Sequence, residues 1–319
     1  RIREQNLAGY AQYNHPLPFG QANIGLRYEH VDFDYFENAT FVPGQSRVYD
    51  NIFPNISVNG QLGKVQFQVS YAAKTQRPNY SQLRNNITYA NRFTWQTGNP
   101  LLKPSVTHDI TAVGVWRFFQ AMVSYKVVRD YILYWGTQVE NQSATTLINY
   151  INHDRLPSLT VMLAASPTIG IWNLNASAIV MKQWFSLDAA GQRRTYNNPL
   201  FVGSLNNTFT LPAGFLLSAD FNYQSRGQVQ NITLKRPQYT LNIGLRKSLF
   251  NDALSIEARA NDLLLGCKQE ALLYMESAQM KDLSWSDTRS FSLTVRYKFN
   301  AAKSKYKGTG AGQDTINRM

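Results

Sequence analysis

Ser290-Phe291-Ser292-Leu293-Thr294-Val295-Arg296-Tyr297-Lys298-Phe299 alternates polar and apolar residues without a break. Strand side chains point to opposite faces in turn, so Phe291, Leu293, Val295, Tyr297 and Phe299 share one face. Ser290, Ser292, Thr294, Arg296 and Lys298 share the other. A helix at 3.6 residues per turn spreads the same residues around its surface. The same period recurs upstream. Val65, Phe67, Val69 and Tyr71 oppose Lys64, Gln66, Gln68 and Ser70. Phe215, Leu217, Ala219, Phe221 and Tyr223 oppose Leu216, Ser218, Asp220 and Asn222. Tyr239 to Arg246 and Leu254 to Asn261 repeat the pattern. Around Ala22–Phe36 the phase drifts after Glu29, and around Ile110–Trp116 both faces are apolar.

The links between these segments alternate in length. Tight ones lie near His15–Pro18, Asn59–Gly63, Phe118–Phe119, Pro167–Gly170, Leu211–Gly214 and Phe250–Asp252. Longer polar ones lie near Glu37–Ser46, Pro78–Pro104, Thr137–Thr146, Leu187–Asn197, Ser225–Arg236 and Leu265–Ser284. Tight turns at one end of a meander and long loops at the other describe an outer-membrane barrel. The pattern predicts roughly thirteen strands, many of about 10–18 residues, where soluble strands average five or six. A tilted strand needs about 9–11 residues to cross a bilayer.

Composition agrees. Charged residues are 16% of the 319, hydrophobic ones 44% and aromatic ones 13%. Soluble domains carry about 25% charged residues. No run of 18 apolar residues occurs, so no transmembrane helix is expected, while a barrel hides its apolar band in every second residue and mean hydropathy stays negative. Aromatics near segment ends (Tyr28, Tyr71, Trp116, Trp172, Trp184, Tyr223, Tyr297, Phe299) fit interfacial girdles. The formal charge of +12 is scattered, and no basic helix or aromatic RNA-binding motif accompanies it, so nucleic acid is not an expected partner. Cys267 is the only cysteine, which leaves no intrachain disulfide or multi-Cys metal site. None of His15, His30, His108 and His153 is at metal-ligand spacing with another, and His108-Asp109 is no catalytic triad by adjacency alone. No catalytic residue, cofactor or metal is expected. The matches Asn38-Ala39-Thr40 and Asn141-Gln142-Ser143 are read as chance.

The fold class is therefore all-β, an antiparallel up-and-down transmembrane barrel. The chain opens on Arg1 without a signal-peptide core, and bacterial single-chain barrels have even strand numbers. The expectation is a partial barrel, the C-terminal portion of a larger one, over 1–299. A flexible basic periplasmic tail follows over 300–319.

Three stretches resemble TonB-dependent outer-membrane receptors. Arg77-Pro78-Asn79-Tyr80-Ser81-Gln82-Leu83, followed by Gly98-Asn99-Pro100-Leu101-Leu102-Lys103-Pro104, is similar to segments that bracket a long extracellular loop. Ala260-Asn261-Asp262-Leu263-Leu264 resembles a late segment that usually carries Phe where Leu264 stands. Ser290–Phe299 resembles a terminal strand of the kind read by the barrel-assembly machinery. The resemblance implies about thirteen strands of a barrel of about 22. It also implies an N-terminal plug and further strands of the same protein, a TonB-type energy-coupling complex, lipopolysaccharide contact and a surface lipoprotein partner. The implied function is active uptake of a bulky scarce solute such as a siderophore, glycan, peptide or vitamin. The alternatives are a non-transporting barrel (adhesin, passive pore or scaffold) and a soluble basic β protein that binds nucleic acid.

Two sets of residues stand out. Tyr80, Tyr89, Arg92, Phe93 and Trp95 in the longest loop are residue types that anchor ligands, with loop packing as the plain alternative. Arg27, Glu29, Lys64, Lys126, Arg246, Glu257, Arg259, Arg296 and Lys298 are placed on the lumen side, docking the plug through charge pairs or simply solvating the inner wall, because Lys or Arg facing lipid at mid-bilayer costs about 2–4 kcal/mol. Ile243→Arg should then impair assembly, and Asn242→Arg should not.

Overall fold

The computed structural model describes residues 1–139, 142–276 and 279–299, without the side chains of Gln142 and Ser143. The expected basic tail over 300–319 and the Asn141-Gln142-Ser143 match lie outside the described residues.

Among the described residues, thirteen long strands form one antiparallel wall. They are β1 (Ile2–Leu17), β2 (Gly20–Glu37), β3 (Arg47–Leu62), β4 (Val65–Gln76), β5 (Ser105–Trp116), β6 (Phe119–Val139) and β7 (Gln142–Ala165). Then come β8 (Trp172–Gln183), β9 (Leu200–Leu211), β10 (Phe215–Gln224), β11 (Gln238–Leu249), β12 (Leu254–Asn261) and β13 (Ser290–Tyr297). Each pairs with the next in sequence. No pairing joins β1 to β13 among the described residues, so the wall is open. Lys64, Lys298 and Phe299 fall just beyond strand ends rather than within strands.

The tight turns all gather at one end. Gly63 supplies a positive φ of 61° for the two-residue turn between β3 and β4, a conformation that costs glycine little. The long connections lie at the other end. One differs from expectation: β6 and β7 stay paired up to Val139 and Gln142, so the link near Thr137–Thr146 is mostly strand. At about 3.3 Å per residue, these 21- and 24-residue strands are twice the length a bilayer needs, and their upper halves stand clear of it.

The facing follows the sequence. Phe291, Leu293, Val295 and Tyr297 point outward and are 62–73% exposed. So do Val69, Ile110, Val123, Leu163, Val180, Leu205 and Ile243. Among the described residues this continuous apolar surface has no protein partner, and it suits hydrocarbon. At the turn end, Trp116 stacks on Phe119 and Trp172 on Phe209. Toward the loops, Tyr28 donates to Asp50 and the Tyr71 hydroxyl meets His108 Nδ1 at 2.9 Å. Apolar rings with polar tips mark the depth where headgroups begin.

The apparent phase drift in β2 is no drift. Arg27, Glu29, Val31, Phe33 and Tyr35 all face inward. The last three are apolar because loops cover them, so Val31 is 3% exposed and Tyr35 5%.

Candidate functional site

The loops are not separate polar links. They interlock above the wall, with the β6–β7 extension as their spine. One face of that spine carries Leu133 and Trp135, buried against a hairpin of Phe185–Ala189 and Gln192–Tyr196. Phe185, Leu187 and Ala189 already alternate in sequence, and Ala190 and Gly191 both have positive φ, as a tight hairpin turn requires. The other face carries Ile132 and Tyr150, which pack toward Leu83 and Leu102, and Ile148 and Tyr134, which pack toward Leu273 and Met275. Burying one such side chain contributes about 1.5–3 kcal/mol. A four-stranded sheet joins the last two long loops through Gly227–Val229, Ile232–Leu234, Lys268–Tyr274 and Gln279–Trp285. Cross-links complete the roof. Ala190 N donates to Met275 O at 2.8 Å, Glu276 N to Gly136 O at 3.1 Å, and the Arg194 guanidinium lies 3.6 Å from the Tyr274 ring centre.

The longest loop is anchored at both ends by its recognisable residues. Arg77 reaches Glu29 at 2.9 Å and Glu4 at 3.1 Å, and all three side chains are largely buried. Arg27 also pairs with Glu29, at 2.7 Å. Gly98 lies so close to the chain that a Cβ there would sit 2.5 Å from the carbonyl oxygens of Gln82 and Arg84. Asn99 donates to Tyr150 O, and the Asn152 side chain bonds Lys103 N, Lys103 O and Asp130 O. Between the anchors, Thr94–Gln96 adds in parallel to Thr146–Ile148 of the spine.

Beneath the roof, against the inner faces of β4 to β8, is a cavity of about 590 Å³. Its wall is rich in hydroxyls and amides, including Thr107, Ser158, Thr160 and Gln183. Tyr131, Val128 and Leu156 give it an apolar side, and Lys74, Arg77, Lys126 and Lys182 line it as cations. Gln183 holds the roof to the wall, donating to Gln230 O and accepting from Gln230 N, both at 2.7 Å.

The five aromatic and basic candidates of the longest loop lie elsewhere. Tyr89 and Trp95 meet edge to face at 5.2 Å, and Arg92 lies 5.3 Å from the ring of Phe93, which is 53% exposed. These four share the hairpin of Thr88–Asn91 and Thr94–Gln96. Tyr80 is half-buried under it against the Phe33 and Leu83 cluster. None of the five lines the cavity. The strand phase places Lys126 inward. Lys74 continues the phase of Gln66, Gln68 and Ser70 and is not among the lumen-side charges that the sequence singles out.

The family model described as outer membrane protein beta-barrel family matches residues 1–297. The chain belongs to that family. Its members' fold, a sheet that spans the outer membrane, is the architecture described above. Solved structures agree in fold. The FrpB iron transporter from Neisseria meningitidis is similar with a TM-score of 0.60 at 14% identity, over 93% of this chain and 45% of that one. The copper transporter OprC gives 0.63 at 11% identity, over 93% and 48%. The siderophore receptor PiuA from Acinetobacter baumannii gives 0.59 at 11% identity, over 93% and 44%. The chain spans less than half the length of each. A search of the curated proteins returns no match.

The titratable groups of the roof predict a response to pH in this outer-membrane barrel. Burial against Phe185 holds the His153 imidazole below its ordinary value of 6.5. The Arg236 and Lys281 charges hold Glu270 below the usual carboxylate range. A base with a lowered pKa favours folding above its unfolded value and loses that contribution as pH falls. A carboxylate with a lowered pKa behaves the same way in its own range. Acidification should loosen the roof in two stages, first below about pH 6.5 through His153 and then below the carboxylate range through Glu270. Amide hydrogen exchange across 185–196 and 268–276 between pH 7 and 3 should rise in that order after correction for intrinsic rates. Flat corrected exchange would contradict the assignment.

Proposed function

We propose that the chain forms the wall and external loops of a TonB-dependent receptor that takes up a bulky, scarce solute across the outer membrane. The carrying observation is the roofed cavity: long loops interlock over the inner wall. In support, the structurally similar FrpB and OprC are named as iron and copper transporters, and PiuA as a siderophore receptor. The Arg77-Pro78 and Gly98-Asn99-Pro100 segments that carry the resemblance are the anchors of the longest loop. In this reading the loops capture solute and an energised plug opens the path. The barrel-assembly machinery reads β13, and lipopolysaccharide and a surface lipoprotein contact the rim. The solute is a siderophore, glycan, peptide or vitamin, and Tyr89, Arg92, Phe93 and Trp95 offer its first contact surface.

The test is a comparison of solute uptake in three strains: wild type, one lacking this gene, and one lacking the TonB-type motor. Uptake should fall equally in both mutants. Uptake that persists without the motor would make the barrel a passive pore.

A further inference from the structure

The cavity under the roof carries more charge information than a generic solute site. Lys74 projects from β4 and Lys126 from β6, separated by β5, with Thr107 and Asp109 as their cross-strand neighbours. Both line the cavity, as does Lys182, whose ammonium also lies 5.7 Å from the Trp184 ring centre. Of the acidic groups nearby, Glu4 and Glu29 are bound by Arg77, while Asp109, opposite Lys126 in the ladder, keeps its charge with Oδ1 accepting from Thr111 and Ser124 at 2.8 Å. No ion pair within 4.0 Å reaches Lys74 or Lys126 among the described residues, although ten such pairs occur elsewhere. Lys74 is exposed and Lys126 half-buried, and two ammonium groups on one side of a concave space repel each other and attract a counter-charge. The remaining lining fits a ligand of mixed character. Thr107, Ser158 and Gln183 supply hydrogen bonds, and Tyr131 and Leu156 supply an apolar side.

We infer that this cavity is an oxyanion site: Lys74 and Lys126 together hold a carboxylate or phosphate group of the solute, and Tyr131 and Leu156 flank its carbon skeleton. The inference rests on the uptake reading and narrows its solute to anionic compounds. Its volume, about 590 Å³, lies in the usual range for small-ligand pockets of about 300–1,000 Å³. The tip aromatics then serve as a first contact, and the two lysines as an inner one.

The test needs no knowledge of the natural solute. The protein, expressed from its own gene and purified in detergent, is treated briefly with pyridoxal 5′-phosphate, an aldehyde that carries an oxyanion. The lysine imines are trapped with borohydride and located by mass spectrometry. 5′-Deoxypyridoxal, which lacks the phosphate and cannot close to a hemiacetal, is the matched probe for plain amine reactivity. Lys74 and Lys126 should be modified about tenfold more by the phosphorylated probe than by the deoxy probe, which corresponds to about 1.4 kcal/mol of anion binding. Lys64, on an exposed turn, should show no such preference. Excess citrate or inorganic phosphate should protect both cavity lysines, and Lys126→Gln should remove the preference at Lys74 while the barrel keeps its folded mobility in gels. Equal modification by both probes, or a preference no greater than at Lys64, would overturn the oxyanion site. Because labelling needs no energy source, its failure leaves the uptake result standing, and a passive-pore result leaves the labelling standing.

Discussion

Val69→Arg is expected to reduce the yield of folded, membrane-inserted protein sharply, and Gln68→Arg on the adjacent residue is expected to leave it near wild type. Val69 is on the outward face of β4, 46% exposed, between Val58 and Ala112. A guanidinium there meets hydrocarbon and costs about 2–4 kcal/mol. Gln68 faces the lumen and lines a polar recess with Gln21, Gln61 and Gln66. Arginine there meets water or polar groups. The measurement is the fraction of heat-modifiable barrel in isolated outer membranes. Similar yields for the two variants would contradict the facing. This pair is cleaner than Ile243 and Asn242, because the Asn242 side chain accepts a hydrogen bond from Asp262 N at 2.9 Å and has a second role.

Arg77→Met is expected to release the longest loop. Glu4 and Glu29 are about 10% and 9% exposed as side chains, so losing their shared cation leaves largely buried negative charge. Breaking a buried pair costs about 3–5 kcal/mol, and the lower end applies because Arg27 remains on Glu29. Arg27 itself is 46% exposed, so Arg27→Met should cost no more than about 1 kcal/mol. Hydrogen exchange over 78–104 should rise steeply in the first variant and hardly at all in the second. Equal exchange in both would show that Leu83, Leu102 and the Asn152 bonds suffice to hold the loop.

The wall was legible in the sequence because a two-sided sheet writes its surroundings into every second residue. Phe291, Val295 and their neighbours face one solvent, and Ser292 and Thr294 face another. Turn positions were legible because tight and long links differ so much in length. The roof was not. Its apolar residues come in short pieces (Phe185 to Ala189, Leu272 and Leu273, Ile148) that belong to different loops and meet only in space. Val31, Phe33 and Tyr35 looked like a fault in the strand phase because the pattern assumed a wet lumen along the whole of β2. The cavity was half legible. Lys126 carried the inward phase, but its proximity to Lys74 depends on the pairing of β4, β5 and β6, which sequence periodicity alone does not specify.

Accessibility of nitroxides placed one at a time at positions 65–71, with Cys267 replaced by Ser and the protein in lipid vesicles, addresses the whole architecture. Oxygen, which concentrates in hydrocarbon, should broaden the signals at Val65, Phe67, Val69 and Tyr71 and should have little effect at Gln66, Gln68 and Ser70. An even profile along the strand, or one with maxima on the glutamines, would mean that this face of the sheet does not touch lipid.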